Sequence, residues 1–163
     1  MSILDCWKVS KYNEMTKTCH NAPFMVKTDK RRLQQVLINI QSNALKFTMK
    51  GGKVDVFYTV YKEKGVSFCE VQVKDTGMGI KREDQKKLFK LFGFIESTEQ
   101  VNTRGIGLGL VISKRITEQF GGDIGFKTKW KRGSIFGFRF RLANDLPDDD
   151  LIKFQKTIVM GNM

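Results

Sequence analysis

The sequence has few cysteines and no long apolar run. Its three cysteines, Cys6, Cys19 and Cys69, are odd in number and widely spaced, which predicts reduced thiols and neither a disulfide framework nor a paired zinc site. No apolar stretch is long enough to span a bilayer, and the first residues lack the basic and apolar regions of a secretory signal. We therefore expect this piece of chain to make no membrane contact and to lie in the cytoplasm, although its parent protein can still be membrane-anchored.

Acidic residues are outnumbered by basic ones, which gives the 163-residue chain a net charge of +12. Such an excess makes nucleic acid the first partner to consider. The basic residues are nevertheless spread along the chain and interleaved with acids, as in residues 81–87, which is typical of solvated helix faces. No zinc-finger spacing or ribonucleoprotein aromatic motif accompanies the charge, so we expect no nucleic acid partner. A nucleotide would benefit from the same positive field.

Hydrophobic periodicity predicts one domain in which helices cover a sheet. Steps of three and four residues predict helices over Lys30–Met49 and Leu108–Phe120, and a further helix is expected over Arg82–Phe92. Alternation predicts four strands, which lie near 54–60, 69–75, 124–128 and 136–142. Strands that pair without an obligatory helix between them favour an α/β (α+β) two-layer sandwich. Its sheet is expected to be mixed and mostly antiparallel, with about three helices on one face.

The flanking segments differ from this core. Residues 1–28 are expected to form an edge strand or hairpin, and residues 29–143 the main domain. Residues 144–163 begin with an acidic stretch, which indicates a linker or tail.

The first predicted helix carries a polar stripe formed by Asn39, Asn43 and Lys46. Their spacings of four and three residues place them on one side of the helix, at the border of its apolar face. Carboxamide oxygens can bind a hard cation, and the ammonium group can bind phosphate oxygens. A solvated polar edge of an amphipathic helix would show the same spacing. The stripe alone therefore does not distinguish a ligand-binding site from a solvated surface.

Asp75 is followed by Thr76, Gly77, Met78 and Gly79. Continued alternation from the preceding strand places Asp75 on the buried side, where an unpaired carboxylate would cost several kcal/mol. The amino group of adenine is a suitable donor, whereas guanine has an oxygen at that position. The two glycines would let the backbone approach a flat ring closely. The alternative is a strand end whose carboxylate binds only backbone amides.

A glycine-rich segment, residues 104–110, leads directly into the second long helix. Glycines at a helix start expose free amides at its positive end, which favours phosphate binding. A polar loop precedes the segment instead of a strand, which differs from the dinucleotide-binding fingerprint. The sequence also lacks the Gly-x4-Gly-Lys-Ser/Thr loop of Walker-type sites.

Together these motifs resemble the ATP-binding catalytic domain of sensor histidine kinases, in the ATPase superfamily that also contains gyrase, MutL and a heat-shock chaperone. Residues 29–48 resemble the N box of that family, and Asp75–Gly79 its G1 box. Residues 88–94 are similar to the F box, residues 105–110 to G2, and residues 133–136 to the last glycine box. The resemblance covers roughly residues 20–142 and implies the Bergerat-type ATP-binding fold.

The resemblance implies ATP and Mg²⁺ as cofactors and a role for each matching residue. Asn43 would be the Mg²⁺ ligand, with Asn39 and Lys46 toward the phosphates as the other catalytic residues. Asp75 would hold the adenine amino group, residues 95–106 would form a lid, and Phe89 and Phe92 would anchor it. The implied ATP-binding residues are Asn39, Asn43, Lys46, Asp75, Gly77, Gly79, Ile80, Arg104, Gly105, Gly107, Leu108, Gly109, Leu110 and Ser134.

The implied function is transfer of the γ-phosphoryl group to a histidine on a separate dimerisation domain, followed by a response-regulator receiver domain. His20 is the sole histidine of the chain, and it precedes a segment that resembles an edge strand, so we do not expect it to be the acceptor. Gyrase- and MutL-like relatives hydrolyse ATP with a glutamate where Asn39 stands, and an amide cannot act as a general base. Slow hydrolysis is therefore expected.

Several alternatives remain open at the level of sequence. The G2 segment has Arg104 where the family has glycine and Ile106 where it has threonine, and Lys90-Leu91 replace the proline and acid of the F box. These departures keep a nucleotide-binding pseudokinase and a gyrase- or MutL-like ATPase as alternatives. The basic charge keeps a nucleic-acid-binding domain as a less favoured alternative. Asp75-Thr76-Gly77 is also the tripeptide of aspartic proteases, but those enzymes need a second facing aspartate and are nearly all β.

Overall fold

The computed structural model describes residues 28–91 and 107–142, together with the strand formed by 156–160. The elements in chain order are α1 (Lys30–Phe47), β1 (Val54–Glu63), β2 (Val66–Asp75), α2 (Arg82–Gln85), α3 (Gly109–Gln119), β3 (Asp123–Lys129), β4 (Gly133–Arg141) and β5 (Lys156–Met160). Apart from Thr28, the edge strand or hairpin predicted for residues 1–28 lies outside the described residues.

Helix α1 begins at a side-chain cap and ends at another. The carboxylate of Asp29 accepts from the amides of Arg31 and Arg32 at 3.0 and 3.2 Å, which satisfies two amides of the first turn. The hydroxyl of Thr48 donates to the carbonyl of Ala44 at 2.7 Å, and the helix ends at Phe47. The predicted helix therefore ends two residues early. Gly51 has a φ of +84°, but it lies in the following turn and does not cap the helix.

The sheet has the order β3-β4-β2-β1-β5, and all four of its described pairings are antiparallel. Strands β1 and β2 form a hairpin across Lys64 and Gly65, whose φ values of +50° and +80° suit a tight turn that follows the twist of the strands. The predicted two-layer fold with a mostly antiparallel sheet is confirmed. A parallel pair, which a mixed sheet would include, is not found in the part of the chain that the structure describes.

One face of the sheet and one face of each long helix form the core. The apolar face of α1 buries Leu33, Val36, Leu37, Ile40 and Ala44, as the periodicity predicts. The sheet contributes alternate residues of three strands: Val54, Val56, Val60, Cys69, Val73, Phe136, Phe138 and Phe140. Helix α3 adds Ile116. Burial of these side chains, at roughly 1.5–3 kcal/mol each, holds the helices in fixed positions on the sheet.

The helix predicted for Arg82–Phe92 is much shorter in the structure. It ends at Gln85, and turns follow in which Phe89 has a φ of +60°. Phe89 lies beyond the end of the helix, and its ring is near that of Phe126 on β3, with a centroid separation of 6.0 Å. Residues 86–89 form turns, so the local pattern overestimated the length of this helix.

Strand β5 lies within residues 144–163, where the sequence predicted an acidic linker or tail. It pairs antiparallel with β1, from Val54 opposite Met160 to Tyr58 opposite Lys156. The edge of the sheet next to β1 is therefore extended by a segment from the end of the chain. Over the described ranges, no helix has both the length and the apolar character required to cross a bilayer.

Candidate functional site

Asp75 is the last residue of β2, and its side chain lies on the buried face with 6% exposure. The backbone amides of Gly77 and Ser134 both donate to its Oδ1 atom, at 2.8 and 3.2 Å. Burial raises the pKa of the Asp75 carboxyl above its ordinary value, and the two backbone bonds oppose that rise in part. Both amides donate to Oδ1, so neither of them forms a hydrogen bond to Oδ2. The predicted buried acceptor is thus present at the end of β2.

Three glycines allow the backbone to close around Asp75. A Cβ at Gly77 would collide with the carbonyl oxygen of Phe47, and one at Gly79 with that of Lys129. Gly79 also has a φ of +65°, which disfavours L side chains. A Cβ at Gly133 would collide with the backbone oxygen of Asp75 itself. Glycine is therefore required at these three positions because the backbone approaches closely there, whatever ligand binds.

Three inward-facing polar residues lie side by side across the sheet at this end. Asp75 is paired with Ser134 in the β2–β4 register, and Ser134 with Thr128 in the β3–β4 register. The hydroxyls of Thr128 and Ser134 are 2.9 Å apart, and the amide of Ile80 donates to Thr128 Oγ1 at 3.0 Å. Sequence reasoning named Ser134 and Ile80 but missed Thr128. A polar residue two positions after Phe126, on the inner face of a predicted strand, was the available signal.

The polar stripe of α1 is present, and its members differ in their surroundings. Asn39, Asn43 and Lys46 are all half-buried. The Nδ2 atom of Asn39 donates to Ser113 Oγ at 2.9 Å, so this amide joins α1 to α3. Lys46 Nζ lies 5.6 Å from the centre of the Phe47 ring. Asn39 is thus engaged by a neighbouring helix, which its predicted role toward phosphate did not anticipate.

The glycines predicted to border phosphates lie at the start of α3. Gly107 has a φ of +73°, Leu108 is the N-cap without a side-chain cap bond, and Gly109 begins the helix. A Cβ at Gly109 would collide with Oδ1 of Asn39, so glycine is needed for the two helices to approach. Leu110 is partly buried against the core and anchors this first turn. The amides of the first turn of α3 are therefore close to Asn39, an arrangement that favours anions.

Helix α1 connects the residues around Asp75 with the start of α3. Its Phe47 carbonyl accepts from the amide of Met78, in the glycine-containing loop of residues 76–80, at 3.2 Å, while Asn39 contacts α3. Eight residues separate these two contacts, roughly 12 Å along a helix. A ligand lying along this side of α1 would meet Asp75 at one end and the start of α3 at the other.

An open groove of about 540 Å³ lies between α1 and α3. Its lining includes Asn39, Gly109 and Ser113, along with Ile38 and Ile112. Asp75 is not among the lining residues of this groove.

Some of the predicted site residues lie in segments that the structure does not describe. Arg104, Gly105, Phe92 and His20 lie outside the described residues, as does the lid at 95–106. Within the described ranges, no group of three or more histidine, cysteine, aspartate or glutamate side chains could hold a metal ion.

Comparison with known proteins identifies the arrangement. Residues 28–144 match the model of the family described as histidine kinase-, DNA gyrase B-, and HSP90-like ATPase. Hybrid signal transduction histidine kinase B of Dictyostelium discoideum is 38% identical over 118 residues, which are 72% of this chain and 6% of that protein. The signal transduction histidine-protein kinase BarA of Escherichia coli K12 is 37% identical over 126 residues, 75% of this chain and 13% of that protein. The chain therefore spans only a small part of these relatives.

Solved structures of histidine kinases are also similar to this chain. The nucleotide-free catalytic domain of histidine kinase ThkA is 31% identical with a TM-score of 0.55, and the match covers 72% of this chain and 71% of that one. Full-length ShkA in complex with AMPPNP is 31% identical with a TM-score of 0.57, covering 75% of this chain and 24% of that one.

Proposed function

Because the chain belongs to the histidine kinase-, DNA gyrase B- and HSP90-like ATPase family, as an ATP-binding histidine kinase catalytic domain, we propose that it donates the γ-phosphoryl group of ATP to a histidine on a separate domain. The observation that carries the proposal is the buried carboxylate of Asp75, held at the end of β2 by two backbone amides. Its Oδ2, which neither amide contacts, can accept a hydrogen bond from the amino group of adenine. Guanine presents an oxygen there, which a carboxylate repels.

At the other end of the site, Asn43 would bind Mg²⁺ and Lys46 would bind phosphate oxygens. The donor set fits Mg²⁺, which usually takes one or two protein oxygen ligands and completes its shell with phosphates and water. When bound, the ion neutralises phosphate charge. Lys46 and the free amides at the start of α3 would orient the phosphates, and the net charge of +12 would attract the nucleotide. ShkA was solved with AMPPNP, which supports a nucleotide at this site.

The partners follow from the family and remain part of the proposal. The phosphoryl acceptor would be a histidine on a dimerisation domain, and a receiver domain of a response regulator would take the group next. Residues 29–143 would be the catalytic unit, acting in the cytoplasm.

Hydrolysis is expected to be slow because the position of a general base is occupied by Asn39. Its amide is engaged by Ser113 and carries no basic group at neutral pH. Without a base to activate water, transfer requires an acceptor that brings its own nucleophile.

The test is to titrate the isolated chain with Mg²⁺·ATP and to follow phosphate release at saturation. We expect ATP to bind and phosphate release to stay below about one turnover per minute, far under the usual range for enzymes. Rapid multiple-turnover hydrolysis would place the protein with the gyrase-like ATPases, and failure to bind ATP would refute the proposal.

A further inference from the structure

Basic residues from three separate segments of the chain meet at one end of the sheet, on its outer face, which lies opposite the helices. One of them lies on β2 and two on β3, at positions that alternate with residues facing the helices. Another comes just before β1, and two form the turn between β3 and β4. All six are exposed, and we refer to them as the basic face: Lys53, Lys74, Lys127, Lys129, Lys131 and Arg132.

The register of the strands brings these cations close to one another. Lys74 and Lys127 are both paired with Ile135 of β4, so they lie two strand spacings apart, about 10 Å. Lys127 and Lys129 are two residues apart on one strand, which is about 7 Å. These distances are comparable to the screening length of about 8 Å at physiological ionic strength. The charges of the basic face therefore act together on an approaching anion.

The basic face has little counter-charge in the part of the chain that the structure describes. None of its six members forms an ion pair with a described carboxylate. Asp55, opposite Lys74, is the one acidic residue that the described strands place on the outer face at this end. At the other end of the same face, Arg139 is bonded to Glu63 at 2.7 Å and to Asp123 at 2.9 Å. The cations of the basic face repel one another, and an anionic partner would relieve that repulsion.

Composition and shape indicate what kind of anion fits. Five of the six residues are lysine, which is depleted in protein–protein interfaces, where arginine is enriched. Gly125 and Gly137 are paired next to the basic face and have no side chains, so the sheet is flat there. Trp130, in the turn, has Lys81 Nζ 5.3 Å from its ring centre, so that side of the ring is not free to stack on a nucleotide base. A flat array of lysines suits the headgroups of a bilayer better than a nucleic acid strand.

We propose that the basic face binds the surface of an anionic phospholipid membrane. Such binding is peripheral, because it comes from the attraction between basic residues and acidic headgroups and requires no segment that crosses the bilayer. The absence of a long apolar run, from which no membrane contact was expected, does not bear on an electrostatic surface of this kind. The clustering is also hidden in the sequence, where the basic residues are spread along the chain. With the outer face on a membrane, α1 and α3 would face away from it, so lipid binding and the proposed nucleotide binding are independent.

Sedimentation of the full chain with lipid vesicles tests the proposal. The chain should bind vesicles of phosphatidylcholine with phosphatidylserine but not vesicles of phosphatidylcholine alone, and added salt should weaken the binding. A triple variant of the basic face should lose more than about tenfold in affinity, since three cations are removed: Lys74→Gln, Lys127→Gln and Lys129→Gln. The matched control removes the same charge from exposed residues of the helix layer and should lose less than about threefold, because charges beyond the screening length contribute little: Arg32→Gln, Lys114→Gln and Arg115→Gln.

A single variant in the turn separates charge from folding. Lys131 has a φ of +61°, in the left-handed region that asparagine adopts more readily than lysine. Lys131→Asn should therefore keep the stability of the wild type while it lowers vesicle affinity by about fivefold, as expected for one basic residue. This variant decides the proposal if the triple variant does not fold.

Several results would overturn membrane binding by the basic face. They are the absence of wild-type binding to phosphatidylserine vesicles, unchanged affinity in the folded basic-face variants, and equal losses in the two triple variants, which would show that net charge alone is responsible. Binding of a short oligonucleotide through the same lysines, without vesicle binding, would overturn it in favour of a nucleic acid. ATP affinity, measured in parallel, should be the same in the wild type and both triple variants, and a wild-type chain that binds no ATP would refute only the proposed function.

Discussion

The side-chain amide of Asn39 donates to the hydroxyl of Ser113 at 2.9 Å, across 74 residues of sequence. This bond joins α1 to α3 at the place where Gly109 lets the two helices meet. Asn39 belongs to the same stripe as Asn43, so the contact fixes the proposed Mg²⁺ ligand relative to the start of α3. The polar stripe of α1 and the start of α3 are thereby held together.

Ser113→Ala should lower the free energy of unfolding by about 1 kcal/mol, because Asn39 loses a partly buried partner. Chemical denaturation measures the change. Ser42→Ala is the matched control, since Ser42 is exposed on α1 and should have no measurable effect. Equal effects of the two variants would show that the Asn39–Ser113 bond contributes nothing to stability.

Asp75→Asn should weaken ATP binding by more than about tenfold, or 1.4 kcal/mol, because the acceptor facing the adenine amino group loses its charge and becomes partly a donor. Calorimetric titration measures the loss. Asp55→Asn is a matched control on the neighbouring strand, where alternation turns the side chain to the opposite face of the sheet. Unchanged affinity in a folded Asp75→Asn protein would remove Asp75 from the adenine site.

Asn43→Ala should abolish the Mg²⁺-dependent part of ATP affinity, since Asn43 is proposed to supply a protein oxygen to the metal. Adenosine, which lacks phosphates, should bind almost as before. Titrations of both ligands with and without Mg²⁺ separate the two effects. Equal losses for adenosine and ATP would mean that the substitution acts through the fold.

The pH dependence of adenosine binding should report the titration of Asp75. Burial raises the pKa of this carboxyl, and a hydrogen bond from the adenine amino group would favour its ionised form. Affinity should therefore be full above the raised pKa and fall as the pH drops through it, by at most about tenfold per pH unit. Adenosine is the suitable ligand because it has no phosphate groups that titrate.

The contribution of Asp75 to folding stability changes with pH in the opposite direction to its contribution to adenosine binding. Because its folded pKa lies above the unfolded value, protonation favours the folded state, and the penalty of the buried charge is relieved as the pH falls through the folded pKa.

The control for the pH dependence of adenosine binding is Asp75→Asn, which should flatten the pH profile of that binding. A profile that is the same in wild type and variant would show that another group is responsible.

Much of this fold follows from local pattern. The period of two in β2 predicts that Asp75 lies on the buried face, and steps of three and four residues predict the buried face of α1; both predictions are confirmed. The C-terminal end of α1 was less predictable. The helix ends at Phe47, two residues before the predicted end, and there the Thr48 hydroxyl donates to the Ala44 carbonyl one turn back.

Contacts between residues that are far apart in the sequence could not be predicted from the local sequence pattern. Thr128 meets Ile80 across 48 residues, and Ser113 meets Asn39 only when α1 and α3 lie on the same face of the sheet. Phe89 shows the same limit, because local pattern did not reveal that its ring lies near Phe126 on β3. The hydrogen bonds of Thr128 and Ser113 therefore depend on the fold rather than on their neighbours in sequence.

Phosphoryl transfer in trans tests the central claim most directly. The chain is incubated with Mg²⁺ and γ-labelled ATP, alone and with the dimeric histidine-bearing helical domain of its own parent protein. We expect acid-labile label on the histidine of that domain, none on the isolated chain, and no transfer by Asn43→Ala, because in-line attack requires an ordered γ-phosphate. ATP that binds tightly while the histidine of the correct acceptor stays unlabelled would contradict the account.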